Sequence, residues 1–188
     1  MGTDGSVNDS MATYSFVISI SRRDVRPDVT GGGILPTTPQ YTDPYSKRPE
    51  AAALFAGLTW ISQLLQTFPN HTNRNPLPLT IPVDNEAVIK DVPRNINEQS
   101  STYEYLRPDY DIMQAVRSTI EGIPIGTNIV HVKSHQDDDL LWDELDLNAK
   151  INVLADRNAG SIHKKEACDT GIFPTWIPGT RAAVFHEG

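Results

Sequence analysis

Apolar and polar positions along the chain change their period several times, and each change marks an element. Met11 to Ser21 is rich in β-branched and aromatic residues and predicts a strand. Gly31-Gly32-Gly33 reads as a breaker. Ile34-Leu35 opens a short following strand, and Pro36, Pro39 and Pro44 mark a loop. Pro49 to Thr67 is the clearest helix. Pro suits a first helical position, and Leu54, Leu58, Ile61 and Leu65 recur at spacings of four, three and four to form one stripe. Leu77 to Val83 alternates Leu79, Ile81 and Val83 with Thr80 and Pro82, which predicts a strand ending at Asp84. Pro78 and Pro82 each remove a ladder donor and favour an edge position. Asn85 to Asp91 predicts a short helix and 93–107 a loop. A second helix follows over Asp109 to Glu121, with Asp109 as its N-cap and Ile112, Val116 and Ile120 on one face. Asn128 to Ser134 is a further strand, and Asp137-Asp138-Asp139 opens a solvated loop. Leu147 to Ala159 is the last helix. Its core face is Leu147, Ile151, Leu154 and Ala155, and Gly160 is its terminator. Strands, helix, strand, helices, strand, helix is the order of an α/β layer with a mixed sheet.

Four acids break this pattern. Asp4 lies in Thr3-Asp4-Gly5-Ser6. Glu50 is four residues before Leu54, at the N-terminal end of the helical stripe. Asp84 ends an apolar strand. Asp156 and Asn152, four apart, flank the core face of the last helix. Taken alone, Glu50 is a first-turn acid favoured by the helix dipole. Taken together, carboxylates pointed at a core are costly unless a cation joins them, and Mg²⁺ prefers oxygen ligands. Acids at strand ends and helix starts can converge in an α/β fold. Two divalent ions relieve their repulsion and can clamp the attacking water and leaving oxygen of a phosphodiester.

Other chemistries are weaker. His131 and His135 are four apart, which suits zinc on a helix but not on a predicted strand. Ser6, Ser10 and Ser134 form no triad pattern with the histidines. The 188 residues, 38% of them hydrophobic, suffice for one domain with a core. One cysteine, Cys168, allows no internal disulfide, and no signal peptide is read at Met1, so the expectation is an intracellular, reducing setting. The sequons at Asn8 and Asn70 and the loose myristoylation match at Gly2 then read as chance. No apolar run approaches a membrane span. The net charge of −8 argues against gripping nucleic acid by a basic surface, though metal-ligand carboxylates contribute to that tally.

Five segments in order carry a family resemblance. They are Asp4-Gly5-Ser6, Arg48-Pro49-Glu50-Ala51-Ala52-Ala53-Leu54, Val83-Asp84-Asn85, His131-Val132-Lys133-Ser134-His135 and Asn152-Val153-Leu154-Ala155-Asp156. In this series the chain resembles a type 1 ribonuclease H domain of the reverse-transcriptase, retroelement-associated kind, over residues 1–160, with 161–188 as an extension of unassigned role. The resemblance implies an RNase H-like α/β fold, with a five-stranded mixed sheet flanked by helices. It implies that Asp4, Glu50, Asp84 and Asp156 hold two Mg²⁺ or Mn²⁺ ions and that His135, on a mobile loop, assists proton transfer or product release. Gly5, Ser6, Asn85 and Asn152 would contact substrate or orient the acids. The implied reaction is endonucleolytic hydrolysis of the RNA strand of an RNA–DNA hybrid, recognised through 2′-hydroxyls and shape. A reverse transcriptase domain in a parent polyprotein is the implied partner. Only Met1-Gly2-Thr3 precede Asp4, so a shortened first strand is expected. The competing expectation is a catalytically inactive RNase H-like remnant serving as a nucleic-acid or protein interaction domain.

Overall fold

A computed structural model describes residues 1–8, 11–20, 27–35, 47–68, 78–93 and 109–164. The expected loops over 36–46 and 94–107, and the tail beyond Lys164, lie outside the described residues.

Three strands form an antiparallel meander: β1 (Gly2–Asn8), β2 (Met11–Ile18) and β3 (Val29–Leu35). The register runs from Gly2 opposite Val17 to Asn8 opposite Met11, and from Ala12 opposite Leu35 to Ile18 opposite Val29. The three glycines do not break the chain; they lie inside β3. The Phe16 ring covers Gly31, its cross-strand partner, and the Tyr14 ring covers Gly33 at 3.1 Å from where a Cβ would stand. An aromatic opposite a glycine fills the space that the missing side chain leaves.

Helix α1 (Arg48–Thr67) follows, then β4 (Leu79–Val83), α2 (Glu86–Asp91), α3 (Tyr110–Gly122), β5 (Thr127–His131), two 3₁₀ turns (Gln136–Asp138 and Trp142–Glu144) and α4 (Leu147–Lys164). Strands β4 and β5 pair in parallel, Leu79 opposite Thr127 through Val83 opposite His131. The expected single sheet is therefore two hydrogen-bonded sheets, of three and two strands. Pro82 supplies a reason. Leu79 N–H donates to Gly126, toward β5, so by the period of two the nitrogens of Thr80 and Pro82 face the other way, toward β1. The Met1 nitrogen bonds the Thr80 carbonyl on that side at 2.9 Å. Proline brings no donor to the same edge.

Helices α1 and α4 cover opposite faces of the meander. On one face Gly57 of α1 meets Met1 and Phe16. On the other, Thr13 bonds the Ala159 carbonyl at 3.3 Å, and Asn158 donates to Ser15 at 2.7 Å. The α1 stripe is buried at Leu54, Leu58 and Ile61 and joins Val83, Val88, Ile112 and Val116 in the main core. The first turn of α1 is closed in all round, and Arg48 lies there, 9% exposed. Its guanidinium makes a two-pronged bond to Asp111 at 2.6 and 2.7 Å and stands 3.6 Å from Asp109. Asp109 does not cap α3 with its side chain. Its backbone is left-handed, φ 62°, and its carboxylate faces Arg48 instead.

Helix α4 runs through Gly160 to Lys164 rather than ending there. Later contacts extend it: His163 Nε2 lies 3.1 Å from the Thr13 hydroxyl, and Ile162 packs over Gly32. Ile151 and Ala155 are buried as expected, whereas Leu147 and Leu154 are only half-buried, and Ala149, Val153 and Ala159 complete the inner face.

Candidate active site

Asp4 stands mid-strand on β1 and is 7% exposed. One residue on, Gly5 passes so close to the start of α1 that a Cβ there would strike the backbone of Pro49 and Glu50. This contact brings the Gly5 N–H to 2.5 Å from Glu50 Oε2. Glu50 is 4% exposed, far too buried for an ordinary dipole-favoured first-turn acid. Asp84 follows the last residue of β4, and Asn152 of α4, itself 2% exposed, reaches its Oδ2 with an amide hydrogen at 3.4 Å.

These elements bring Asp4, Glu50 and Asp84 together, with one carboxylate oxygen from each within 4.8 Å of the others. Asp156 is outside that triad but close enough to act on its charge. Burial pushes Asp4 up to about 7, and Asp156 and Asp84 add to the rise. Glu50 is held well above the usual carboxylate range by burial, then by Asp4 and Asp84, against the opposing hydrogen bonds of the Gly5 amide and the Thr3 side chain. Asp156 is also raised, by burial first. The His135 and Arg157 charges oppose that rise, and Asp137 and Asp84 reinforce it. Carboxylates that hinder one another's ionisation form a site suited to a cation.

A divalent metal fits this donor set on a separate observation. Among the described residues, Asp4 Oδ2 and Asn152 Oδ1 are buried acceptors without a hydrogen-bond partner. Unpaired buried acceptors are costly, and a hard cation is the partner that such oxygens take.

The remaining expected residues have mixed placements. Gly5 and Ser6 are half-buried on β1 beyond Asp4. Asn85 caps α2, accepting from Ala87 at 3.0 Å and Val88 at 3.2 Å. Asn152 is enclosed behind Asp84, the position of an orienting group more than of a substrate contact. His135 is exposed, with left-handed backbone (φ 49°), and begins the first 3₁₀ turn. The Asp137–Asp139 segment is not simply solvated. Asp137 pairs with Arg157 and Asp139 with Lys133, each at 2.9 Å. Arg157 and Trp142, whose ring centroid is 5.6 Å from the guanidinium, had no signal in the sequence pattern beyond Arg157 being next to Asp156.

A small antiparallel meander beside a parallel pair, with helices on both faces and acids on β1, α1 and at the end of β4, is an α/β fold similar to that of ribonuclease H. Two solved structures carry the likeness. RNase H1 from the halophilic archaeon Halobacterium salinarum NRC-1 superposes with a TM-score of 0.54 at 16% identity, over 88% of this chain and 96% of that one. LC11-RNase H1, solved in complex with an RNA/DNA hybrid, superposes with a TM-score of 0.51 at 13% identity, over 85% of this chain and 95% of that one. No protein-family model and no curated relative matches the sequence.

Proposed function

We propose that the chain is a metal-dependent endonuclease that hydrolyses the RNA strand of RNA–DNA hybrids. The observation that carries the reading is the Asp4–Glu50–Asp84 triad, with one carboxylate oxygen of each within 4.8 Å of the others and Asp4 Oδ2 buried without a partner. The RNase H1 likeness supports it through the fold, and one of those neighbours is itself bound to a hybrid.

Asp4, Glu50 and Asp84, joined by Asp156, would hold two Mg²⁺ or Mn²⁺ ions. Such metal supplies activation of the attacking water and charge stabilisation at the 3′ leaving oxygen. The chain's own residues do the rest. Burial of Asp4 and Glu50 excludes water from the back of the site. The Gly5 amide fixes the Glu50 carboxylate, and Asn152 fixes that of Asp84. The role proposed for the exposed His135 imidazole, whose charge acts on Asp156, is to carry a proton from the reaction to solvent. Gly5, Ser6 and Asn85 border the triad and are the candidate contacts to the scissile strand. Descent from a retroelement reverse transcriptase rests on the five ordered motifs. In such a parent, a polymerase domain would contribute grip on the hybrid that a chain of net charge −8 lacks.

The test is a substrate panel with Mg²⁺ or Mn²⁺: hybrid, single-stranded RNA, duplex RNA and duplex DNA. The reading expects cuts only in the RNA of the hybrid, and none where that strand is 2′-deoxy. Equal cleavage of duplex DNA would move the chain to a different nuclease class. A folded, metal-binding protein inert on all four would favour the interaction-domain reading.

A further inference from the structure

One side chain of α4 reaches both 3₁₀ turns of the segment between β5 and α4. Arg157 Nη2 bonds Asp137 Oδ2 of the first 3₁₀ turn at 2.9 Å, and the same guanidinium lies 5.6 Å from the Trp142 ring centroid in the second. Lys150, two helical turns before Arg157 on the same face, places its ammonium 5.8 Å from that ring. The second turn is tied within itself, because Glu144 Oε2 accepts from the Leu141 amide at 2.8 Å. Asp146 joins it to α4 by accepting from Ala149 at 2.8 Å. At the other end, Lys133 pairs with Asp139 at 2.9 Å, and the Asp138 amide donates to the His135 carbonyl at 3.2 Å. His135 is thus the first residue of a short fastened turn, in a left-handed conformation that side chains rarely adopt without support.

We propose that Arg157 is a positioning residue: by holding Asp137 and Trp142 against α4, it sets His135 beside Asp156 at the mouth of the carboxylate site. This rests on the nuclease reading above. The Asp137–Arg157 pair is partly exposed, with side chains 22% and 58% accessible, and alone would stabilise little. The fastening is therefore argued to act on geometry rather than on folding. Arg157 follows Asp156 directly on α4, and Asp137 comes two residues after His135, so this one bond ties the turn that begins at His135 to the stretch of helix that carries Asp156.

A double-variant cycle tests this with Arg157→Gln, Asp137→Asn and both together. The readouts are kcat and KM on an RNA–DNA hybrid, Mn²⁺ affinity by calorimetry, thermal unfolding, and the NMR signals of the His135 ring. A fastening role predicts that each single variant lowers kcat roughly tenfold, a fraction of what a positioned proton-transfer group contributes. KM, Mn²⁺ affinity and unfolding temperature stay near wild type, the His135 signals shift in both, and the double variant is no worse than the poorer single one. A direct charge effect on Asp156 would push the two single variants in opposite directions, because Asp137 and Arg157 carry opposite charges. Opposite or fully additive effects, or unmoved His135 signals, overturn the inference while leaving hybrid cleavage by the wild type standing. A wild type that binds Mn²⁺ yet cuts no hybrid overturns the nuclease reading, and the positioning role falls with it.

Discussion

Asp4 shows how burial among other carboxylates changes the behaviour of a single residue. A carboxyl titrating at about 7 in the folded protein, against 3.8 normally, keeps its proton between those values while the unfolded chain has lost it. Folding then binds a proton in that window, so the metal-free protein loses stability as pH rises from about 4 to about 7. Asp4→Asn removes that penalty. Its metal-free form should be more stable than wild type at pH 8 by on the order of 4 kcal/mol, with little difference at pH 4, in chemical unfolding. Saturating Mn²⁺ should raise the wild-type unfolding temperature more at pH 8 than at pH 5, and should do so less for Asp4→Asn. That Asp4, Glu50 and Asp84 come together was foreshadowed in the sequence by Glu50 and Asp84, acids in apolar stretches, whereas Asp4, between Thr3 and Gly5, stood out through its motif. Gly5 was legible only as part of a motif. Its actual task, letting β1 touch the start of α1, depends on a contact 45 residues away that no local pattern carries.

At the scale of elements, the first turn of α1 is the part on which the site depends most. It carries Glu50, and Arg48 anchors it to α3 through Asp111. Arg48→Ala leaves Asp109 and Asp111 without their cation. Because Asp111 is 38% accessible and can rehydrate, the expected loss is on the order of 2 kcal/mol, below that of a fully buried pair. Mn²⁺ affinity should fall with it, since Glu50 is two residues away; unchanged affinity with full loss of stability would separate the anchor from the site. The helices and strands with strong periodicity were readable to within a few residues, as α1, β4 and α3 show. The misreadings have one cause. Gly31-Gly32-Gly33 and Gly160 look like breaks, yet Tyr14 and Phe16 cover the first set, and His163 and Ile162 give α4 a reason to continue past the second. Tertiary contact overrode local propensity at both places.

For the whole molecule, the decisive property is a net charge of −8 around a site for which a polyanionic substrate is proposed. Metal bound at the triad would offset charge there but would supply no extended grip on a duplex. The isolated chain should therefore show a high KM for hybrid. Fusing a cationic hybrid-binding domain should lower KM at least tenfold with kcat within about twofold, because the added contacts bind substrate and transition state equally. A fall in KM accompanied by a large rise in kcat would show that the chain's own site is incomplete without its neighbour. The split of the strands into two sheets also belongs to this scale. Pro82 was recognised in the sequence as awkward for a central strand, but its orientation toward β1 emerged only from the hydrogen bonds of Leu79 and Thr80.

The central claim is that Asp4, Glu50 and Asp84 form one metal site. Titration of Mn²⁺ into the folded wild type and into Asp84→Asn, followed by calorimetry at pH 8, tests it directly. The account predicts saturable binding to the wild type that Asp84→Asn weakens at least tenfold while its unfolding transition stays cooperative. Wild-type protein that is folded and binds no Mn²⁺, or an Asp84→Asn variant that binds it equally well, would contradict the claim.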